Sequence, residues 1–355
     1  MRKIMILAGE ESGKIYADRI RERLDGCEVR TYSDYGFETA DLAVFGLWEV
    51  LKRIFFFMRV KRTMERAIRE WRPDAVLTID YPGMNLKLAA YAKSLGIRAV
   101  HVVCPQVWAW HQGRIPKIEA SLDKLCCFFP FEPGLFKPGF AEFVGHPLLE
   151  QFEGLERKVQ PDLVALLPGS RRGEVARILP VLLEVARRYP QFRFAIPAAH
   201  KRALGWIREM KLPGNVEVRE GGARELLLSA RCAVVASGTA TLEAALCRCP
   251  TVLVYKVGPL LAAFLRRALT GTRYVGLANI IWDRCAARGE ERKDEEQPMP
   301  ELLQENFTVG TVCAHIEPWL KDLALCAQAA SRLGKIAGLL KSEGEAIGKI
   351  AEATK

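Results

Sequence analysis

Short apolar runs alternate with longer amphipathic segments along most of the chain. In the first half the runs are "KIMILA" (3–8), "EVRTY" (28–32), "DAVLTID" (74–80), "IRAVHVV" (97–103) and "KLCCFF" (124–129). In the second half they are "DLVALLPG" (162–169), "FRFAIPA" (192–198), "VEVRE" (216–220), "CAVVAS" (232–237) and "TVLVY" (251–255). Runs apolar at consecutive positions, separated by helix-length segments, predict parallel strands buried on both faces. The fold class expected is α/β, with two doubly wound, Rossmann-like domains. The polar stretch "GHPLLEQFEGLERKVQPD" (145–162) has no strong strand and marks a linker. The domains expected are 1–155 and 156–310, followed by helices over 311–355.

Doubly wound sheets bind ligands beyond the carboxyl ends of their strands, and paired domains do so in the cleft between them. The loops after the strands are therefore the informative ones. "LLPGSRRGEVARIL" leaves a strand through Gly169 and Ser170 and enters a helix near Glu174. Glycine lets the backbone approach a ligand, free N–H groups at the helix start attract anions, and Arg171 can fork onto a phosphate. "VVASGTATLEAAL" repeats the arrangement with Ser237, Gly238 and Thr239, and carries Glu243 one turn in. That carboxylate suits two ribose hydroxyls, or simply complements the helix dipole. Two such helix mouths in one domain point to a nucleoside diphosphate. No Gly-x-Gly-x-x-Gly is present, so a dinucleotide is not indicated.

The first domain has three loops of interest. "LTIDYPGMNLKL" puts Asp80 at a strand tip, placed either to take a proton from a nucleophile or to cap Gly83 or Asn85 in a turn. "VHVVCPQVWAWHQGRIPKIEA" carries Trp108, Trp110, His111, Arg114 and Lys117; indoles beside cations suit a sugar or a phosphorylated lipid head, and equally suit packing against a sheet. "ILAGEESGKI" resembles a phosphate loop and fails as one. Only three residues lie between Gly9 and Gly13, where the phosphate loop needs four, and Ile15 follows Lys14 where Ser or Thr would hold magnesium. No D-x-D triplet occurs, so neither a metal nor another cofactor is expected.

Composition narrows the partners. The formal charge is +10 over 355 residues, which calls for an acidic partner. The excess is concentrated between Lys52 and Arg72, where eight Lys or Arg and two Glu surround Phe55, Phe56 and Phe57. With Arg59, Lys61 and Arg62 such a helix fits an anionic membrane surface, or a core-facing amphipathic helix with solvated charges. No nucleic-acid recognition motif accompanies the charge. The ten cysteines lack C-x-x-C spacing, and a reduced, cytoplasmic protein is expected, with neither signal peptide nor spanning segment.

Taken in order, "AGEESG", "LAVFGLWEVL", "PDAVLTIDYPGMNLKLA", "CPQVWAWHQGRIPKI", "FPFE", "VGHPL", "LLPGSRRGEV", "ASGTATLEAAL", "VYK", "LAN" and "PELLQ" resemble the lipid-A-disaccharide synthases, inverting glycosyltransferases of the paired-domain GT-B class. The resemblance implies that UDP-2,3-diacylglucosamine donates its sugar to the 6-hydroxyl of 2,3-diacylglucosamine 1-phosphate (lipid X), releasing UDP. It makes Asp80 the base and Arg171 a stabiliser of the leaving group. It places Asn279, Glu301 and Gln304 around the nucleotide, and sets Glu10 and Ser12 facing them from the other domain. It implies peripheral association with an inner membrane, and C-terminal helices that cross back or exchange in a homodimer. Another UDP-sugar enzyme of this architecture, such as a 2-epimerase, and a non-catalytic relative are the alternatives. The chain departs from the family at Lys14 and Gly83, both commonly aspartate there, and in an insertion over 283–297.

Overall fold

The structure is a computed structural model that describes residues 1–42, 53–198, 201–268, 271–286 and 297–355. Most of the "LAVFGLWEVL" segment and of the 283–297 insertion lie outside the described residues. Two compact units result: Met1–Leu148 together with Leu340–Lys355, and Leu149–Leu339.

The first unit holds β1 (Arg2–Ala8), β2 (Cys27–Arg30), β3 (Ala75–Ile79), β4 (Arg98–Val102), β5 (Lys124–Cys127) and β6 (Ala141–Phe143). They form one parallel sheet in the order β2-β1-β3-β4-β5-β6. All five residues of β3 are buried, as a strand covered on both faces requires. The strand order reverses between β1 and β3, so the loops after Ala8 and Ile79 open side by side. Helices α1 (Glu11–Glu22), α2 (Ile54–Trp71), α3 (Pro82–Ser94) and α4 (Ile115–Ser121) cover the sheet. In α2 the buried side chains Phe57, Val60, Met64, Ala67, Ile68 and Trp71 recur at helical spacing. Arg72 ends it in the left-handed region (φ 51°), its N–H returning to the carbonyl of Ile68.

The second unit holds β7 (Gln160–Leu167), β8 (Arg193–Ala198), β9 (Val216–Glu220), β10 (Ala230–Ala236), β11 (Thr251–Tyr255) and β12 (Glu301–Leu303). They are also all parallel, in the order β12-β11-β10-β7-β8-β9. The reversal here lies between β7 and β10. These strands end at the two glycine loops that the sequence singles out. Helix α5 (Arg172–Arg188) follows β7, and α6 (Thr239–Leu246) follows β10. Further on, α7 (Leu277–Ala286) precedes β12, and α8 (Val309–Lys321) and α9 (Leu323–Leu339) follow it.

The final helix, α10 (Ala346–Ala353), belongs to the first unit. Its Ile347, Ile350 and Ala351 pack with Ile4, Ile6, Leu77 and Val100. The Arg98 guanidinium donates to the carbonyl of Ala353 (2.9 Å), and Ser342 Oγ donates to that of Val144 (2.6 Å).

Candidate active site

In the first unit the reversal point is built around Asp80. Its N–H continues the sheet by donating to the Val102 carbonyl (2.9 Å), and its Oδ1 accepts from the Tyr81 N–H (2.8 Å). Asp80 and Tyr81 both stand at φ 50°, a left-handed pair that only surrounding contacts hold in place. Asn85 supplies several of them. Buried in α3, it donates from Nδ2 to the carbonyls of Asp80 (2.8 Å), Leu7 (3.0 Å) and Ile79 (3.1 Å), and accepts from Tyr32 (2.8 Å). Asn85 thus braces the loop from behind. Burial raises the Asp80 pKa above the usual carboxylate value, and the Tyr81 N–H partly offsets this. A carboxylate so placed is a stronger base than one in water.

Tyr81 also ties in the loop after β1. A Cβ at Gly9 would lie 2.6 Å from the Tyr81 ring, so only glycine fits there. The Tyr81 phenol is shifted upward by burial and then by the charge of Glu10, which sets Glu10 beside the Asp80 loop. Ser12 lies in the first turn of α1. Lys14, the reversed charge, is paired with Asp18 at 2.7 Å.

The tryptophan loop separates its two indoles. Trp110 is 41% exposed, whereas Trp108 is buried against Phe131 and donates from Nε1 to Glu132 Oε1 (3.0 Å). Glu132 Oε2 accepts from the Phe129 N–H (3.1 Å). Trp108 therefore fastens the loop that presents Trp110 and the exposed Arg114, and Glu132 is the anchor. Sequence reasoning did not single out Glu132; the signal was a lone carboxylate inside the apolar "CCFFPFEPG". Burial pushes its pKa to about 8.

Among the described residues, one group has the donor types of a metal site: the thiols of Cys104 and Cys127 with the Glu132 carboxylate, their ligand atoms within 4.8 Å of one another. Those donors are already engaged with each other, and the Cys127 thiol is shifted upward by its hydrogen bond to Cys104 and by burial. The three side chains form a hydrogen-bonded knot under the tryptophan loop.

In the second unit Gly169 stands at φ 103° and touches Glu174, whose Cβ would come within 2.7 Å of an added methyl. Glu174 Oε2 accepts from the N–H groups of Ser170 (3.2 Å) and Arg171 (3.3 Å), and Oε1 from the Arg171 guanidinium (3.1 Å). The start of α5 is thus a set of donors turned toward negative charge, with Arg171 exposed beside it. At the next mouth, Ser237 and the exposed Gly238 and Thr239 lead into α6. Glu243 follows in α6, half-buried and shifted upward by burial.

Asn279 and Glu301 form a closed network. Asn279 is fully buried, donating to the carbonyl of Met299 and to Glu301 (both 2.8 Å) and accepting from the Met299 N–H (3.0 Å). Glu301 also accepts from the N–H groups of Val275 and Gly276 (both 2.9 Å), at the start of α7. These side chains hold α7 against β12. Gln304 stands at the end of β12 and accepts from the Val257 N–H (3.4 Å).

The basic aromatic helix divides differently from the sequence expectation. Phe57 is core and Phe56 packs half-buried beside it, edge to face at 5.4 Å. The exposed apolar residues are Ile54, Phe55 and Met58, with Phe55 at 82%. Arg59 and Arg62 are exposed, and Lys61 pairs with Glu65. A single phenylalanine, rather than three, faces out because positions 57 and 60 share the stripe that packs on the sheet. No helix among the described residues is long and apolar enough to cross a membrane.

Comparison with known proteins identifies the family and the fold. A family model described as lipid-A-disaccharide synthetase matches residues 4–308. A lipid-A-disaccharide synthase of Trichlorobacter lovleyi is 32% identical, covering 90% of this chain and 88% of its own length. One of Syntrophus aciditrophicus is 34% identical, over 88% and 87%. Among solved structures, the fold is similar to the glycosyltransferase of kitacinnamycin (TM-score 0.63, 15% identity, 99% of this chain and 97% of the other) and to Acinetobacter baumannii MurG (TM-score 0.58, 15%, 100% and 99%). The fold is the two-domain GT-B fold of glycosyltransferases, and the chain belongs to the lipid-A-disaccharide synthase family.

Proposed function

We propose that this protein is a glycosyltransferase that joins two acylated glucosamine units into the lipid A disaccharide. UDP-2,3-diacylglucosamine is the donor and 2,3-diacylglucosamine 1-phosphate the acceptor. The acceptor's 6-hydroxyl oxygen attacks C1 of the donor sugar, and the bond from C1 to the β-phosphate oxygen breaks. The hydroxyl proton passes to Asp80, UDP leaves, and the anomeric configuration inverts in a single displacement. Arg171 and the N–H donors at the starts of α5 and α6 stabilise the charge that grows on the diphosphate. Glu243 takes the ribose hydroxyls, while Asn279, Glu301 and Gln304 keep the surrounding walls in place.

The observation that carries the reading is the Asp80 loop: a half-buried carboxylate with a raised pKa, held in a left-handed conformation at the reversal point of its sheet. Family membership supplies the substrates. Because both substrates carry acyl chains, the protein works at a lipid surface, and Ile54, Phe55 and Met58 with Arg59 and Arg62 form its contact. Each basic residue near an anionic leaflet contributes ~1 kcal/mol.

Incubation with both substrates, followed by mass spectrometry, tests the reading and should give a tetraacyl disaccharide 1-phosphate and UDP. Asp80→Asn keeps a side-chain acceptor for the Tyr81 N–H and should lose ~10²–10⁴-fold in turnover. UDP release into water without a disaccharide, or an Asn variant of normal activity, refutes it.

A further inference from the structure

A cavity of about 460 Å³ lies in the first unit between α3 and α4. That is within the ~300–1,000 Å³ range of small-molecule sites. Leu86, Ala90 and Ile118 are among its apolar walls, and Pro82 and Gly83, two and three residues beyond Asp80, also line it. Its geometry follows from helical spacing. Residues 82, 83, 86, 87 and 90 fall on one stripe of α3, and 117, 118 and 121 on one stripe of α4, with Arg114 just ahead of it.

Three cations stand on this groove: Lys87 from α3, with Arg114 and Lys117 at the start of α4. All three are exposed. None has a side-chain partner among the described residues, whereas other lysines of the first unit, such as Lys61, Lys93 and Lys124, are paired with carboxylates. Three like charges held together without counter-ions repel one another, and an anion relieves that cost. An apolar floor with an unpaired cationic rim matches an anionic amphiphile.

We propose that this groove binds the phosphorylated, acylated end of the acceptor. The phosphate sits among Lys87, Arg114 and Lys117, and one acyl chain lies along Leu86, Ala90 and Ile118. The proposal rests on the acceptor reading above and deepens it, since it makes the phosphate an element of recognition. The end of the groove lined by Pro82 then brings the sugar's free hydroxyl end toward Asp80.

The test is calorimetric titration of the full chain with a short-chain, water-soluble 2,3-diacylglucosamine 1-phosphate and with its unphosphorylated counterpart. Wild type should prefer the phosphorylated sugar. Lys87→Glu and Lys117→Glu should each raise its Kd about tenfold and so erase the preference. The Lys→Gln pair provides the same comparison should charge reversal disturb folding, which circular dichroism monitors. Ala90→Trp, which fills the groove, should weaken both sugars alike. Equal affinity of wild type for the two sugars, or variants that keep the preference, overturns the proposal. So does a loss of binding to anionic vesicles with no change toward the soluble sugar, which would assign the cations to the membrane. Binding is read without turnover. A wild type that binds the phosphorylated sugar but makes no disaccharide therefore refutes the transferase reading and leaves the groove.

Discussion

Glu132→Gln isolates the knot beneath the tryptophan loop. In the folded chain the Glu132 pKa rises from its usual 4.5 to about 8, because burial removes the solvent that would stabilise its charge. Between these two values the unfolded chain has released the proton while the folded chain retains it. Wild-type stability therefore falls as pH rises through this window, by about 1.4 kcal/mol per unit and on the order of 5 kcal/mol in all. Gln cannot ionise and lacks this slope. The amide can still accept from Trp108 Nε1 but turns its NH₂ toward the Phe129 N–H, and losing that acceptor costs about 1 kcal/mol. The two stability curves should cross: the variant is weaker near pH 4.5 and stronger near pH 8. Urea unfolding read by hydrogen exchange at β4 and β5 follows the first unit alone. A wild-type-minus-variant difference that does not change sign between these pH values would refute a buried, protonated Glu132.

Three further outcomes follow from the same reasoning. Asp80→Asn should raise thermal stability at neutral pH, because the raised pKa of Asp80 means its charge opposes folding; the gain should shrink as pH falls toward the carboxylate range, and a pH-independent difference would contradict it. Phe55→Ser with Met58→Ser should release the protein from anionic vesicles without lowering its melting temperature, while Phe57→Ala should cost about 3 kcal/mol in denaturant titration; equal effects on sedimentation would reject this division of the helix. Gly169→Ala should force Glu174 away from the loop N–H groups, costing about 1–3 kcal/mol and weakening UDP in calorimetric titration; unchanged affinity would detach this loop from the diphosphate.

The strands and the loops that follow them were legible because parallel strands are apolar on both faces and their ends need small or charged residues. Asp80, Gly169 and Gly238 could be read at strand ends without a structure. Less visible was how side chains are spent. Trp108 and Trp110 look equivalent two residues apart, yet one indole reaches inward to Glu132. Phe55, Phe56 and Phe57 are identical in sequence, and only the phase of α2, fixed by Val60 and Met64, separates the exposed ring from the buried one. Asn85 and Asn279 show no periodicity, because a buried amide is positioned by backbone carbonyls from distant segments. Likewise, Lys87 and Lys117 reveal their shared groove only when α3 lies beside α4.

The placement of α10 bears on how the chain is made. Ile347 and Ile350 complete a core begun by Ile4 and Ile6, and Arg23 near the end of α1 pairs with Glu345. Everything from Leu149 to Leu339 must be translated between these partners. The contiguous unit can close as soon as its own residues clear the ribosome, whereas the unit begun first keeps an unfilled apolar face until residues 340–355 arrive. Nascent chains halted before that point would carry the Ile4–Ile6 surface bare, which makes them natural clients of chaperones.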